Sequence, residues 1–195
     1  MRNLFLYCLL LISSVLYSAP TAEEHYSALI EAQGKKEWDK MVTEATELLE
    51  NFSDSPYSTE ALFYSGVGYF EQEDFDWANR QFSAYLQKQV APKHFEEAIK
   101  YKFEIAERFR QGYKKHLLGM KKLPQWQPAH SDALTLYDEV ISALPHNDLA
   151  AHSLFGKAQL MVKEEDYRSS IEAYQTLIRR FPKHPLAAEY FFVRS

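Results

Sequence analysis

Thiol chemistry is almost missing from this 195-residue chain: Cys8 is the only cysteine, and it lies inside an apolar run near the N-terminus. Beyond that run no cysteine remains, which excludes disulfides, thiolate zinc sites and a cysteine nucleophile. Glycine is scarce as well, with six residues against an aromatic fraction of 15%, a balance that argues for ordered packing over disorder. There is no excess of positive charge, the formal net charge being -5, so no nucleic-acid partner is expected. The chain has no nucleophile elbow, no phosphate-binding glycine loop and no dinucleotide-binding glycine motif. Its seven histidines show no HExxH or paired-ligand spacing, and His146 and His152, six apart, fall on different faces of a helix. His94 and Glu97 read as a solvent-exposed pair, and Glu71, Glu73, Asp74 and Asp76 as a solvated turn. The expectation is a non-enzyme with no catalytic residue, no metal site and no cofactor.

Residues 1–19 read as an export signal. Arg2 supplies the positive start, Leu4 to Leu16 is almost continuously apolar, and Ser18, Ala19 and Ala22 are small residues suited to cleavage. The run is shorter than the roughly 20 residues a straight membrane-crossing helix needs. An uncleaved inner-membrane anchor is the alternative. Cys8 follows Phe5, Leu6 and Tyr7 early in the leader, which is not where an acylated cysteine stands.

The remainder, residues 20–195, carries a recurring pattern. Leu62, Gly66, Tyr69, Ala78, Phe82 and Tyr85 are matched 92 residues later by Leu154, Ala158, Met161, Ser170, Tyr174 and Leu177, with Pro182 closing the unit. Ala133, Tyr137, Val140 and Pro145 form a partial third copy. A small residue such as Gly66 or Ala158 lets a second helix come close, while Leu62 and Tyr69 lie on the same stripe and fill the gap beside it. Asp74 and Asp166 each precede an aromatic, Phe75 or Tyr167, and are placed to cap the second helix. Each pair leaves an apolar face that only a neighbouring pair covers. These offsets resemble the tetratricopeptide repeat (TPR), a helix-turn-helix unit of about 34 residues. The resemblance implies an all-α solenoid of antiparallel helix pairs that binds other proteins.

Four pairs are expected: 23–33 with 37–50, 57–71 with 75–89, 93–111 with a helix starting near His130, and 148–163 with 167–180. Ser55 and Pro56 read as the cap and first turn of the third helix. Residues 112–129 are an insertion between the two helices of the third pair, and 185–192 open a further partial helix with an apolar end, Tyr190 to Val193.

The boundary segments are more specific than a generic repeat. Asn51-Phe52-Ser53-Asp54-Ser55-Pro56-Tyr57-Ser58 and Arg180-Phe181-Pro182-Lys183-His184-Pro185-Leu186-Ala187 are similar to the junctions of the BamD family, the TPR component of outer-membrane β-barrel assembly, and of the related YbgF/CpoB proteins. An insertion within a mid-chain repeat is also similar to the BamD pattern. The chain departs from that family in lacking the lipoprotein acylation motif and in being shorter. The resemblance implies a periplasmic adaptor, at the inner face of the outer membrane, whose partners are assembly components or their substrates.

In a TPR stack the first helices line a concave groove. The residues expected to face it are Tyr26 and Ile30, then Phe63, Val67 and Phe70, then Phe155, Gln159 and Val162. Such a surface suits an extended or helical peptide with aromatic side chains, or these residues simply pack against the adjacent repeat. A second candidate is the insertion, where Leu117, Leu118 and Met120 stand among Lys114, Lys115, His116, Lys121 and Lys122, and Trp126 sits between Pro124 and Pro128. An aromatic held by rigid backbone is a common interface anchor, basic residues beside apolar ones also suit peripheral contact with lipid headgroups, and a solvated loop is the plain alternative. The oligomeric state is left open.

Overall fold

Local signals start and stop the helices of the computed structural model, which describes residues 19–88, 92–116 and 125–188. Thr21 opens α1 (Ala22–Lys35) with a capping box: its hydroxyl accepts the Glu24 amide at 3.3 Å, and the Glu24 carboxylate accepts the Thr21 amide at 2.7 Å. The other helices are α2 (Trp38–Asn51), α3 (Ser58–Glu71), α4 (Phe75–Lys88), α5 (Phe95–Arg110), α6 (His130–Ala143), α7 (Asp148–Lys163) and α8 (Tyr167–Arg180). Residues 185–188 begin another helical turn. None of the described helices is long and apolar enough to cross a membrane. Residues 1–18 of the leader and the apolar end from Tyr190 lie outside the described residues.

The first helices of the four pairs end in the same way. Lys36, Glu73, Gly112 and Glu165 have φ of 57°, 58°, 104° and 62°, and the following amides, of Glu37, Asp74, Tyr113 and Asp166, reach back to the carbonyls of Ala32, Tyr69, Arg108 and Met161 at 2.9 to 3.0 Å. This is the Schellman arrangement, in which one left-handed residue turns the chain and satisfies the last free carbonyls. After it the chain enters the second helix, with Asp74 and Asp166 accepting the amides of Trp77 and Ser169 as the sequence suggests.

The third pair makes the same turn and only then departs. After Gly112, the insertion forms an antiparallel hairpin of β1 (Lys114–His116) and β2 (Gln125–Pro128), where the sequence pattern predicts no strand. Lys115 pairs with Gln127 and His116 with Gln125, which leaves Trp126 as the extra residue of a bulge. The hairpin is anchored at its base: Tyr113 packs edge-on against Phe75 and stacks on Phe109, and Lys115 reaches Asp132 at 3.1 Å and Asp76 at 3.4 Å.

Two expectations at the junctions are corrected. Ser55 does not cap α3: the Ser58 amide bonds to the Ser55 carbonyl at 3.2 Å, and the buried Ser55 hydroxyl finds no partner among the described residues. The turn around Asp74 and Asp76 is not fully solvated either, because the hairpin covers it; Asp76 is 8% exposed, while Glu71 and Glu73 do face solvent.

Burial follows the repeat. Gly66 lies against Phe82, and a Cβ at that glycine would meet the ring at 2.8 Å. Ala45, Ala78, Ala133 and Ala158 are fully buried, as are Leu29, Met41, Phe82, Tyr85, Tyr137 and Leu177. One apolar cluster runs from α1 through α6 and takes in Leu160 of α7, and a second, smaller one joins the rest of α7, α8 and Ala187. Ile141 packs against both.

Replacing Gly66 by valine should cost about 1–3 kcal/mol, because Phe82 has no free space to move into. Gly34 gives the opposite result, since a Cβ there would meet nothing within 4 Å: Gly34→Ala should gain up to about 1 kcal/mol from helix propensity. Urea unfolding of both variants checks the pair, and equal shifts would contradict the packing argument.

Burial raises the pKa of Asp76, Lys115 offsets this in part, and Asp132 and Asp74 add to it. A raised folded-state value means the fold favours the protonated acid, so stability is lost as pH rises through that value. Asp76→Asn should therefore be more stable than the parent at pH 7, and the advantage should shrink as pH falls toward the ordinary carboxylate range. Melting temperatures of both proteins across this range test it; a gap independent of pH would contradict it.

Candidate partner-binding face

The first helices of the pairs, α1, α3, α5 and α7, form one layer of the stack. Direct packing joins α1 to α3 and α5 to α7, and Tyr101 of α5 bridges to α3 through Phe63 at 6.4 Å and Phe70 at 5.0 Å. Burial pushes the Tyr101 hydroxyl pKa up to about 12, so the residue acts there as a neutral ring.

The predicted groove residues divide into two groups. Phe63 is 2% exposed, stacked on His94 with centroids 4.2 Å apart, and Val67 is buried beside it. Both belong to the packing between the second and third pairs, and their assignment to the open groove is corrected. The cause is the packing of His94 and Tyr101 over the α3 face.

The others keep some exposure. Tyr26 stacks on Tyr57 at 4.6 Å and donates its hydroxyl to Glu60 at 2.5 Å, leaving a half-buried ring beside Ile30. Burial disfavours ionised Glu60, but the hydrogen bonds from Tyr26 and Lys93 outweigh it and hold its carboxyl below the usual range. Phe70 lies edge-on to Phe75 and Tyr101. On α7, Phe155 is half-buried against Tyr174, Gln159 accepts from Arg110 at 3.2 Å, and Val162 is 39% exposed.

Between these apolar ends lies a polar centre. Glu107 accepts the hydroxyl of buried Tyr137 and is held by Arg110, whose Nη2 lies 2.5 Å away. Burial and the bond to Glu107 push the Tyr137 hydroxyl pKa far up. A Cβ at Gly156 would meet this hydroxyl at 2.7 Å, so α7 approaches α6 closely where the two apolar clusters part. The layer thus offers apolar positions at both ends and a charged, prearranged centre.

The other candidate surface is described only in part. Leu117 and Leu118 lie outside the described residues, and Trp126 is placed by its backbone, at the bulge of β2.

The structure also assembles a group that short ligand spacings do not reveal. Asp148 in the first turn of α7, His152 one turn later and His184 in the turn after α8 have ligand-capable atoms within 4.8 Å of one another. His184 Nε2 is 2.8 Å from Asp148 Oδ1, and His152 Nδ1 is 3.2 Å from Oδ2. The signal in the sequence is the repeat period: Asp148 and His184 are 36 residues apart, as Tyr26 and Glu60, or His130 and Glu164, are 34 apart. Residues about one repeat apart occupy equivalent places in adjoining units. Tyr167 and Ile171, 60% and 46% exposed on α8, likewise fall outside the predicted site residues.

Comparison with known proteins agrees with this architecture. Residues 152–184 match the tetratricopeptide repeat family. A search of curated sequences finds no match. Among solved structures, MamA from Desulfovibrio magneticus is similar with a TM-score of 0.51 at 16% identity, covering 84% of this chain and 77% of that one. A tetratricopeptide repeat protein from Parabacteroides merdae is similar with a TM-score of 0.54 at 13% identity, covering 85% of this chain and 56% of that one, so the chain spans little more than half of that protein. The chain has the fold of a TPR solenoid, with a hairpin set into its third helix pair.

Proposed function

We propose that the chain is a non-catalytic scaffold that holds an extended or helical segment of a protein partner along the layer formed by α1, α3, α5 and α7. The observation that carries this reading is the arrangement of that layer: half-buried or exposed apolar residues at Tyr26, Ile30, Phe155 and Val162 flank the Glu107–Arg110 pair. Apolar side chains of a partner would fill the ends, and its polar backbone or a polar side chain would meet the centre. One buried apolar anchor contributes roughly 1.5–3 kcal/mol, so two or three support micromolar binding after ordering costs.

The setting we propose is the cell envelope, with a BamD-like role in outer-membrane protein assembly or envelope maintenance. The apolar leader and the wording of the repeat junctions support it. So does the position of the first cap: the Thr21–Glu24 box begins directly after the leader, and removal of residues 1–19 leaves it whole. The second reading, an inner-membrane-anchored scaffold for secretion or quality control, uses the same leader uncleaved.

Two measurements test these statements. Val162→Asp combined with Phe155→Ala should weaken binding of a partner peptide, mapped by cross-linking in cells from position 162, by about tenfold or more, with the far-ultraviolet spectrum unchanged; unaltered affinity would overturn the groove reading. Mass spectrometry of the protein purified from its native envelope should give an N-terminus between Ala19 and Glu23. An intact Met1 would favour the anchored scaffold.

A further inference from the structure

We propose that Asp148, His152 and His184 form a divalent transition-metal site that clips α7 to the turn after α8. Two imidazoles and one carboxylate are a donor set that zinc accepts, with at least one further position left to water. Donor atoms about 2.0–2.2 Å from a tetrahedral ion stand roughly 3.3 Å apart. The carboxylate oxygens already lie 2.8 Å and 3.2 Å from the two imidazole nitrogens, so the three groups need only small movements to surround an ion.

The supporting structure fixes the imidazoles. His184 occupies the place that Asn147 has before α7: each accepts the amide two residues ahead, Leu149 to Asn147 at 3.0 Å and Leu186 to His184 Nδ1 at 3.2 Å. The side chain of His184 is largely buried, and its ring stands perpendicular to that of His152 at 5.3 Å. His152 Nδ1 also lies 3.0 Å from the Asp148 carbonyl. In the metal-free state this contact and the Leu186 amide set the tautomers: His184 carries its proton on Nε2 and donates it to Asp148, while His152 donates from Nδ1.

Metal binding places the ion on the nitrogens that carry those protons, and each neutral imidazole keeps its proton on the other ring nitrogen. The His184 proton moves to Nδ1, where the bond from Leu186 is given up, and the His152 proton moves to Nε2, where the contact with the Asp148 carbonyl is given up. The Leu186 amide belongs to the first turn of a helix, where water readily takes over such a donor. The carboxylate, 68% exposed, loses no buried partner. The gain is a link between two segments 36 residues apart, which stabilises the last helix pair by mass action. His152 is also within ring contact of Phe103 on α5, 6.3 Å away, so the clip adjoins the proposed partner-binding layer without relying on it.

The test uses the full chain and two variants chosen to fold. His184→Asn removes the ligand and keeps an acceptor for the Leu186 amide, as Asn147 does for Leu149. His152→Ala removes an exposed side chain. Zinc should raise the melting temperature of the parent protein, and calorimetry should show binding at one equivalent, weakened by roughly tenfold or more in each variant. Cobalt should give the absorption of a low-symmetry site with four or five ligands. No thermal shift with saturating zinc, or the same affinity in the parent and both variants, would overturn the proposal; the second result would place the ion on other histidines.

Discussion

Everything in this structure depends on how closely two helices of a pair approach, and on the fact that no pair can cover its own apolar face. At Gly66 the ring of Phe82 fills the space where a side chain would begin. At this distance dispersion contacts are made on all sides of the ring and no room is left for water. The remaining apolar face is covered by the next pair, as the burial of Phe63 beneath His94 and Tyr101 illustrates. Stability is therefore shared between neighbours.

Polar chemistry is fitted into this scheme where the packing is less uniform. The two apolar clusters part near α6 and α7, and there Tyr137, Glu107, Arg110 and Gln159 form a connected network. Buried polar groups cost free energy unless they find partners, and here each does. The network also gives the layer of α1, α3, α5 and α7 a defined polar centre. The hairpin is a second departure. It enters after an ordinary Schellman turn at Gly112 and is tied down by Tyr113 and Lys115, so the repeat geometry continues beneath it.

Some of the candidate site is legible from residue types and spacing. Tyr26, Ile30, Phe155 and Val162 keep some exposure on α1 and α7, the helices to which their places in the repeat assign them. Phe63 and Val67 share the same repeat positions and yet are buried. The difference arises from His94, which stacks on Phe63, and no feature of α3 itself announces it. The cluster of Asp148, His152 and His184 is open to recognition through the repeat period, but a search for short ligand spacings does not see residues from adjoining units.

The sequence by itself determined the helix pairs and their order. The spacing of small and aromatic residues encodes which side of each helix is buried, a local property that periodicity expresses directly; Asp148 to Lys163 and Tyr167 to Arg180 are predicted to the residue. Only the tertiary structure decided which inward-facing residues remain open, that Asp76 lies under a hairpin, and that three side chains from two turns of the stack share one place. Those outcomes depend on the path of loops and on contacts between residues a repeat or more apart, where the chain carries no local periodic signal.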